Sequence, residues 1–199
     1  MLSRSVLLVF CATVFSTAAF SQSVPTLKAA VVALTADSEL RMSFERGLVE
    51  KARAHDYDAV TSYDITPNVA DVDNRAFVRA LAARGIQAVL MLRPAAIGKG
   101  SSLEAVRNEV TPKLFENMQT FANLVSAAGR SDDLIAVVHM AIYTINAKDA
   151  TMISSGAVWL DEDVENRAQG IERLQDLIVA NVDGARPAIR QHLGLPPLP

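Results

Sequence analysis

Short apolar runs alternate with amphipathic segments through the first half of the chain. The run Ala29–Leu34 is typical of a buried strand, and the segment after it repeats apolar residues every four positions, as one face of a helix does. Residues 59–65 and 86–92 are two more strand candidates, separated by a second helical segment. Strands that alternate with helices at this spacing predict βαβ units and a partly parallel sheet, and therefore an α/β fold.

The first predicted helix begins at Asp37 or Ser38, either of which can cap it, and ends near Ala54. Met42 and Val49 fall on the side opposite its apolar face, where isolated exposed apolar residues are normal. The apolar face is formed by Leu40, Phe44, Leu48 and Ala52, and the pairs Arg41–Glu45 and Arg46–Glu50 occupy the wetter sides.

The second predicted helix has its cap at Asp71 or Asp73 and ends at Gly85, because glycine readily adopts the left-handed conformation at a helix C-terminus. Its apolar residues are Phe77, Val78 and Leu81. A long connection over 93–110 then precedes a third helix, which starts at Thr111-Pro112 and is closed by Gly129.

The second half of the chain begins with the longest strand candidate, residues 134–145, which is rich in β-branched side chains. A turn at 147–150 and a return strand at 152–160 make residues 134–160 an antiparallel hairpin. A last helix starts near Asp163, and Pro187 is expected to break or kink it. The sequence thus predicts one α/β domain over 22–199: a βαβαβ core with a mixed sheet in two or three layers, the hairpin, a long helix and an extended Pro-rich tail.

The amino terminus has the pattern of a secretory signal peptide over residues 1–21. Arg4 is the only charged residue before Lys28, and an apolar run too short to span a membrane follows it. Small residues before Gln22 predict cleavage near Ser21, and therefore a periplasmic protein without a transmembrane segment. Cys11 is preceded by Phe10 rather than a small residue, which argues against a lipoprotein. Cleavage would leave a chain without cysteine, and so without disulfides or a cysteine nucleophile.

Charge and composition argue against nucleic acid as a partner. The formal net charge is −3, aromatic residues make up 6% of the chain, and no basic stripe is present in the sequence. Sparse aromatic residues also disfavour a platform on which sugars or bases would stack.

Histidine and serine offer few catalytic candidates. The chain holds His55, His139 and His192, without the His-x-x-x-His spacing of a zinc site. His139 falls mid-strand on the face that carries Tyr143, so a partly buried structural histidine is favoured over a general base. No GxSxG elbow surrounds Ser154-Ser155, so a pairing of serine with His139 has no support from spacing.

Three other groups have ordinary structural explanations. The glycines of residues 98–102 lack the spacing of a phosphate-binding loop, and Asp71, Asp73 and Asn74 fit no metal-ligand pattern. The acids of residues 161–165 lie at a helix start, where the helix dipole favours them. The sequence therefore predicts no catalytic, cofactor-binding or metal residue. The candidates for partner binding are Trp159, Tyr143 and His139 on the hairpin, although Trp159 is also a natural core residue.

The order of elements resembles a group of small envelope proteins of Gram-negative bacteria. This group includes the TolB amino-terminal domain, the curli-secretion lipoprotein and the activators of penicillin-binding proteins. The likeness is carried by the segments Ala30–Leu34, Phe44–Leu48, Tyr63–Asn68, Ile86–Leu90 and Gly156–Trp159. It implies a non-enzymatic protein that binds partner proteins or assembles at the outer membrane.

We therefore expect a soluble periplasmic accessory protein that binds another cell-envelope protein and can form homo-oligomers. Its expected binding surface is the free edge of the 134–160 hairpin, since edge strands can pair with incoming chains. Two alternatives remain open: an exported hydrolase that uses His139 or the acids of 161–165, and a small-ligand-binding module with a closed apolar pocket.

Overall fold

A computed structural model of the chain describes residues 26–66, 74–97, 134–160 and 164–198. In these ranges the chain forms five strands and three helices. In chain order they are β1 (Leu27–Ala33), α1 (Ser38–Ala54), β2 (Tyr57–Thr61), α2 (Asn74–Ala83), β3 (Ala88–Ile97), β4 (Leu134–Ile145), β5 (Ala150–Trp159) and α3 (Arg167–His192).

The strands form one mixed sheet in the order β2-β1-β3-β4-β5. The central strand β1 is parallel to both of its neighbours, with Ala29 opposite Ala59 on β2 and opposite Ala88 on β3. The pairs β3–β4 and β4–β5 are antiparallel. The predicted α/β class, with a mixed sheet, a carboxyl-terminal hairpin and a long last helix, is confirmed.

The helices lie on both faces of the sheet, which gives three layers. Alternating strand residues such as Leu90 and Ile142 pack with α1 and α3, whereas Val89 and Tyr143 belong to the cluster that packs with α2. Because β1, β3 and β4 are covered on both faces, most of their described side chains are buried, and they read in the sequence as continuous apolar runs.

Helix α1 begins as the sequence predicts, because the carboxylate of Asp37 accepts hydrogen bonds of 3.0 Å from the backbone amides of Glu39 and Leu40. Met42 is 42% exposed, as expected for the side opposite the core. Val49 is only 4% exposed, so its predicted surface position is wrong. It joins the cluster between α1 and the sheet. Glu45 and Arg53, one helical turn to either side of it, bind Ser62 and Ala59, so this side of α1 faces the β2 end of the sheet.

Two predicted strand boundaries are wrong. The second strand is Tyr57–Thr61 rather than residues 59–65, since the chain turns at Ser62, whose carbonyl accepts a hydrogen bond from the amide of Ile65. The third strand continues to Ile97, into the predicted long connection, despite Pro94. The register of β1 with β3 ends at Leu92, so beyond this point β3 pairs only with β4 and the absent amide hydrogen of Pro94 can face its unpaired side.

Helix α3 continues through Pro187, so of the break or kink that the sequence predicts there, the break is wrong. Proline removes one backbone hydrogen bond, but contacts on both sides hold the helix in place. Arg186 stacks on the ring of Tyr57 at 4.1 Å, and Ile189 is 1% exposed in the core. Tertiary packing therefore outweighs the local preference at this position.

Candidate functional site

Among the described strands, the sheet has two edges, β2 and β5, and the chain treats them differently. An edge strand presents unpaired backbone groups that another chain can bind, and proteins protect such edges with charge, short length or a covering group. The contrast between the two edges identifies the candidate site.

The β2 edge is protected in all three ways. The strand is five residues long and carries the exposed, charged Asp58. The guanidinium of Arg53 donates two hydrogen bonds, of 3.1 Å from Nε and 2.9 Å from Nη2, to the carbonyl oxygen of Ala59. A backbone acceptor of β2 is thus already occupied by a side chain of the same molecule.

The β5 edge has little of this protection. The strand is ten residues long and contains neither a charged residue nor proline. Its register with β4 runs without a shift from Trp159 to Ser154, and one irregularity separates Ser154 from Met152. In the described part of the chain only β4 pairs with β5, so its outer backbone groups have no strand partner there.

Both sides of β5 are open to solvent at its middle. Successive side chains of a strand point to opposite faces, and both Ser154 and Ser155 are exposed. A Cβ atom added to Gly156 would meet no atom within 4 Å. In the described ranges, the helices therefore leave room beside residues 154–156 for another backbone to approach.

The turn that places β5 beside β4 is specified locally. The side-chain oxygen of Asn146 accepts hydrogen bonds from the amides of Lys148, at 2.9 Å, and Asp149, at 2.7 Å. This Asx-type turn reverses the chain one residue earlier than the predicted turn 147–150, and Ala150 already belongs to β5. The turn brings one edge of β5 against β4, and the other edge of β5 faces outward.

Trp159 lies at the end of β5, opposite Val137 on β4. Its side chain is partly buried, so it is neither a fully buried core residue nor a fully exposed one. It lies on the same strand as the exposed Ser154 and Ser155. Of the three predicted partner-binding residues, Trp159 is partly accessible, whereas the other two are buried. Its role in binding stays a prediction.

His139 is buried, with 1% of its surface exposed, and faces Arg93 across the β3–β4 pair. Arg93 Nη1 lies 3.2 Å from His139 Nδ1, and because a guanidinium can only donate, Nδ1 is the acceptor and the proton is assigned to Nε2. Burial, and after it the charge of Arg93, lower the pKa of His139 from 6.5 to about 4. The imidazole is therefore neutral at physiological pH.

Among the described residues, the Nε2 atom of His139 and the hydroxyl of Tyr143 are buried without a hydrogen-bond partner. Ser155 lies opposite Ala141, and the residue opposite His139 is Ala157. Tyr143 is 0% exposed, and burial raises its pKa to about 12. A partner could reach either side chain only after the packing around it changed, so their predicted role in binding stays a prediction.

A buried ionic network joins three elements, and it contains the pair Arg41–Glu45, whose predicted position on the wetter side of α1 is wrong for Glu45. Glu45 is 0% exposed, and its carboxylate accepts hydrogen bonds from the amide of Ala33 at 3.0 Å and the amide of Ser62 at 2.8 Å. It also accepts from the Ser62 hydroxyl at 2.7 Å and from Arg41 Nε at 3.1 Å. The i,i+4 spacing of Arg41 and Glu45 was the available signal, but it does not reveal burial.

A second polar cluster ties α3 to the start of β2. The Asp183 carboxylate accepts from the Tyr57 hydroxyl at 3.1 Å and contacts His55 Nδ1 at 2.5 Å, and Arg186 Nε donates to the Tyr57 hydroxyl at 2.8 Å. Burial acts to raise the pKa of Asp183, but hydrogen bonds from His55, Tyr57 and Arg186 outweigh it and lower that pKa. Burial is also the main reason why the pKa of Tyr57 rises to about 12.

Two concave regions bear on the ligand-binding alternative. An apolar cavity of about 40 Å³ lies under α1 and α3, lined by residues such as Leu48, Ala59 and Val179. It is far smaller than the several hundred Å³ of a typical ligand pocket. A groove of about 680 Å³ between α1 and α3 is larger, but charged side chains such as Arg46, Glu50 and Glu172 line it. Neither is the closed apolar pocket that a small-ligand-binding module needs.

Several predicted groups lie outside the described residues. These are the signal peptide with Cys11, the caps Asp71 and Asp73, the loop 98–102, the helix 111–129 and the acids 161–163. Within the described ranges, no three histidine, cysteine, aspartate or glutamate side chains come close enough to hold a metal ion. None of the helices in those ranges combines the length and the apolar character that crossing a membrane requires.

The chain matches no protein-family model and no curated protein sequence. Several solved structures are similar in backbone, among them the three that follow. The hypothetical protein CT253 of Chlamydia trachomatis is 11% identical with a TM-score of 0.42, and the match covers 80% of this chain and 97% of that one. Lipoprotein GNA1162 of Neisseria meningitidis is 10% identical with a TM-score of 0.39, covering 81% and 98%. A PelC variant of Paraburkholderia phytofirmans, solved as a dodecamer, is 10% identical with a TM-score of 0.37, covering 79% and 93%.

These neighbours agree only loosely with the resemblance to envelope proteins. At identities of 10–11% and TM-scores below 0.5, they carry no conclusion about what this chain binds or does.

Proposed function

We propose that this chain is an exported, non-catalytic accessory protein of the bacterial cell envelope that binds another envelope protein through the free edge of β5. The observation that carries the proposal is the asymmetry of the sheet. At the β2 edge, Arg53 binds a backbone carbonyl and Asp58 carries a charge, whereas the ten residues of β5 include no charge and no proline. An edge left in this condition is a liability unless a partner pairs with it.

Backbone pairing suits the composition of this edge. In strand addition, main-chain hydrogen bonds supply affinity, and alternate side chains supply specificity. Met152, which is 36% exposed, and the partly buried Trp159 are two large apolar side chains of β5 that suit the second role. Exposed Ser154 and Ser155 lie between them and add little steric hindrance to an incoming strand.

The proposed absence of catalysis is supported by the state of His139, the main candidate of the hydrolase alternative. A general base must reach the proton that it removes. The Nδ1 atom of His139 already accepts from Arg93, and the ring is 1% exposed. The same alternative also uses the acids of residues 161–165. The structure describes one of them, Glu165, which is exposed just before α3.

Site-specific photo-crosslinking tests the binding surface. A benzophenone amino acid at Met152 is expected to give a defined adduct with one or a few other envelope proteins in living cells. The matched control places the same group at Ala180, an exposed position of α3, and is expected to give at least tenfold less of that adduct. The substitution Ser155→Lys is expected to abolish the adduct, because the free edge would then carry a charge.

The proposal fails if Met152 and Ala180 give the same adducts, or if the only species captured at Met152 is a second copy of this chain. Export is tested separately by the intact mass of the protein recovered from the periplasm. A mass that still includes Met1 would contradict cleavage near Ser21, while loss of residues 1–21 is the expected result.

A further inference from the structure

We infer that the β5 edge also pairs with the β5 edge of a second copy of this chain, in antiparallel orientation about a two-fold axis. This inference rests on the proposed function in one respect, namely that β5 is a pairing surface. It adds the identity of a partner that is always present at the protein's own concentration. Two sheets of five strands would join into one of ten.

The absence of charged residues from β5 favours a second copy of this chain as the partner at its edge. When a strand pairs with itself, each charged residue near the axis lies opposite or close to an identical charge, which is destabilising. The stretch Ala150–Trp159 contains no charged residue, so self-pairing brings no repulsion between side chains. On β2, by contrast, Asp58 would face such repulsion, and the Ala59 carbonyl is already bound by Arg53.

Space also favours it. The middle of β5 is open on both faces, since Ser154 and Ser155 are exposed and an added Cβ at Gly156 would meet nothing within 4 Å. The carboxyl-terminal end of the strand is more enclosed, because Val158 is 5% exposed. Toward the other end, the register with β4 is irregular between Ser154 and Met152. The two-fold axis is therefore placed at Ser154, Ser155 or Gly156, where two strands can approach without displacing a helix.

Geometry makes this arrangement easy to distinguish from random contact. In antiparallel pairs, directly opposed Cα atoms lie about 4.5–5.5 Å apart, which is within disulfide range. With a rise of about 3.4 Å per residue, a position two residues from the axis lies roughly 14 Å from its own copy along the strand. Only a cysteine on the axis can therefore form a disulfide with itself.

The first test uses single cysteines in the full chain carrying Cys11→Ala, so that each introduced thiol is the only one. Under mild oxidation, one of Ser154→Cys, Ser155→Cys and Gly156→Cys is expected to form disulfide dimers at least tenfold faster than Met152→Cys. The exposed helix variant Ala180→Cys gives the rate of random collision. Three central variants that all react no faster than Ala180→Cys would overturn the inference.

The second test exchanges charge. Ser155→Lys and Ser155→Asp are each expected to lose the dimer that the unmodified protein shows by sedimentation, and an equimolar mixture of the two is expected to regain it. Circular dichroism checks that both variants fold, since residue 155 is exposed and tolerates polar groups. Failure of the mixture to associate, when the unmodified protein does, would show that dimerisation uses another surface and would overturn the inference.

These outcomes separate the two proposals. Disulfide and charge-swap dimers without any heterologous adduct at Met152 would support self-pairing and contradict the proposed function. A heterologous adduct at Met152, with no self-pairing of the purified chain, would support the proposed function and overturn the inference.

Discussion

Arg93 donates to Nδ1 of His139 across the β3–β4 pair at 3.2 Å, and this contact holds a neutral histidine in the core of the sheet. The pKa of His139 is lowered to about 4 from 6.5, so between these values the unfolded chain binds a proton that the folded chain does not. Acid therefore favours unfolding. We expect stability to fall by about 3 kcal/mol between pH 6.5 and pH 4, from this residue alone.

Urea unfolding across that pH range checks the expectation. His139→Gln is expected to remove the slope, because its amide stays neutral and its oxygen can still accept from Arg93. The control His192→Gln changes an exposed histidine at the end of α3 and is expected to keep the slope. Equal slopes in the unmodified protein and His139→Gln would show that His139 does not titrate as described.

The buried carboxylate of Glu45 is expected to be essential for stability. It accepts from two backbone amides, the Ser62 hydroxyl and Arg41, so its removal leaves several buried donors without an acceptor. Glu45→Ala is expected to cost roughly 3–5 kcal/mol in the free energy of unfolding.

The matched control for this change is Glu50→Ala, which removes an exposed glutamate from the same helix. It is expected to change stability by less than about 0.5 kcal/mol. Denaturant unfolding at neutral pH measures both variants. Similar losses in the two would mean that the network around Glu45 contributes no more than a surface pair.

Regular periodicity made most of the fold predictable from the sequence. The strand Leu134–Ile145 and the cap of α1 at Asp37 agree with their predicted positions, because each depends on residues close together in the chain. The surface position predicted for Val49 and the break predicted at Pro187 are wrong for another reason. Burial of Val49 depends on how α1 lies on the sheet, and the continuity of α3 on its packing, and local sequence does not indicate which distant element covers a residue.

The candidate site was predictable only as a region. The sequence marks residues 134–160 as a hairpin, but not which of its two strands lies outermost in the sheet. The protection of the opposite edge by Arg53 depends on a hydrogen bond to Ala59 that spacing alone does not indicate. Burial of His139 and Tyr143 depends on layers that form on both sides of β4.

Gly47 of α1 and Gln175 of α3 lie close together. We therefore expect Gly47→Ala to change the stability in opposite directions with and without the Gln175 side chain. A Cβ added to Gly47 would overlap the side-chain amide of Gln175, a buried residue whose Nε2 donates to the Phe44 carbonyl at 3.4 Å. Gly47→Ala is therefore expected to destabilise the protein, although alanine is favoured over glycine in a helix by about 1 kcal/mol.

In a Gln175→Ala background the obstacle is gone, and the same Gly47→Ala change is expected to stabilise the protein by up to about 1 kcal/mol. Thermal unfolding of the four proteins of the cycle measures the coupling. Additive effects of the two substitutions would show that the amide moves aside without cost.

The cluster around Asp183 is expected to stabilise the protein except in strong acid. The pKa of this carboxyl is lowered, so its contribution is present above the ordinary value of 3.8 and is lost as pH falls through the lower folded value. Asp183→Asn is expected to cost about 1 kcal/mol at pH 7, a modest figure because the side chain is 31% exposed. Below pH 3.8 the difference from the unmodified protein is expected to shrink.

Asp176→Asn provides the comparison on the same helix. Asp176 pairs with Lys51 at 2.5 Å but is 52% exposed, so its replacement is expected to cost less than about 0.5 kcal/mol at any pH. Urea unfolding at pH 7 and pH 3 separates the two carboxylates. If Asp183→Asn costs as much at pH 3 as at pH 7, the loss comes from altered packing of Tyr57 and Arg186 rather than from the charge, and the predicted pH dependence is wrong.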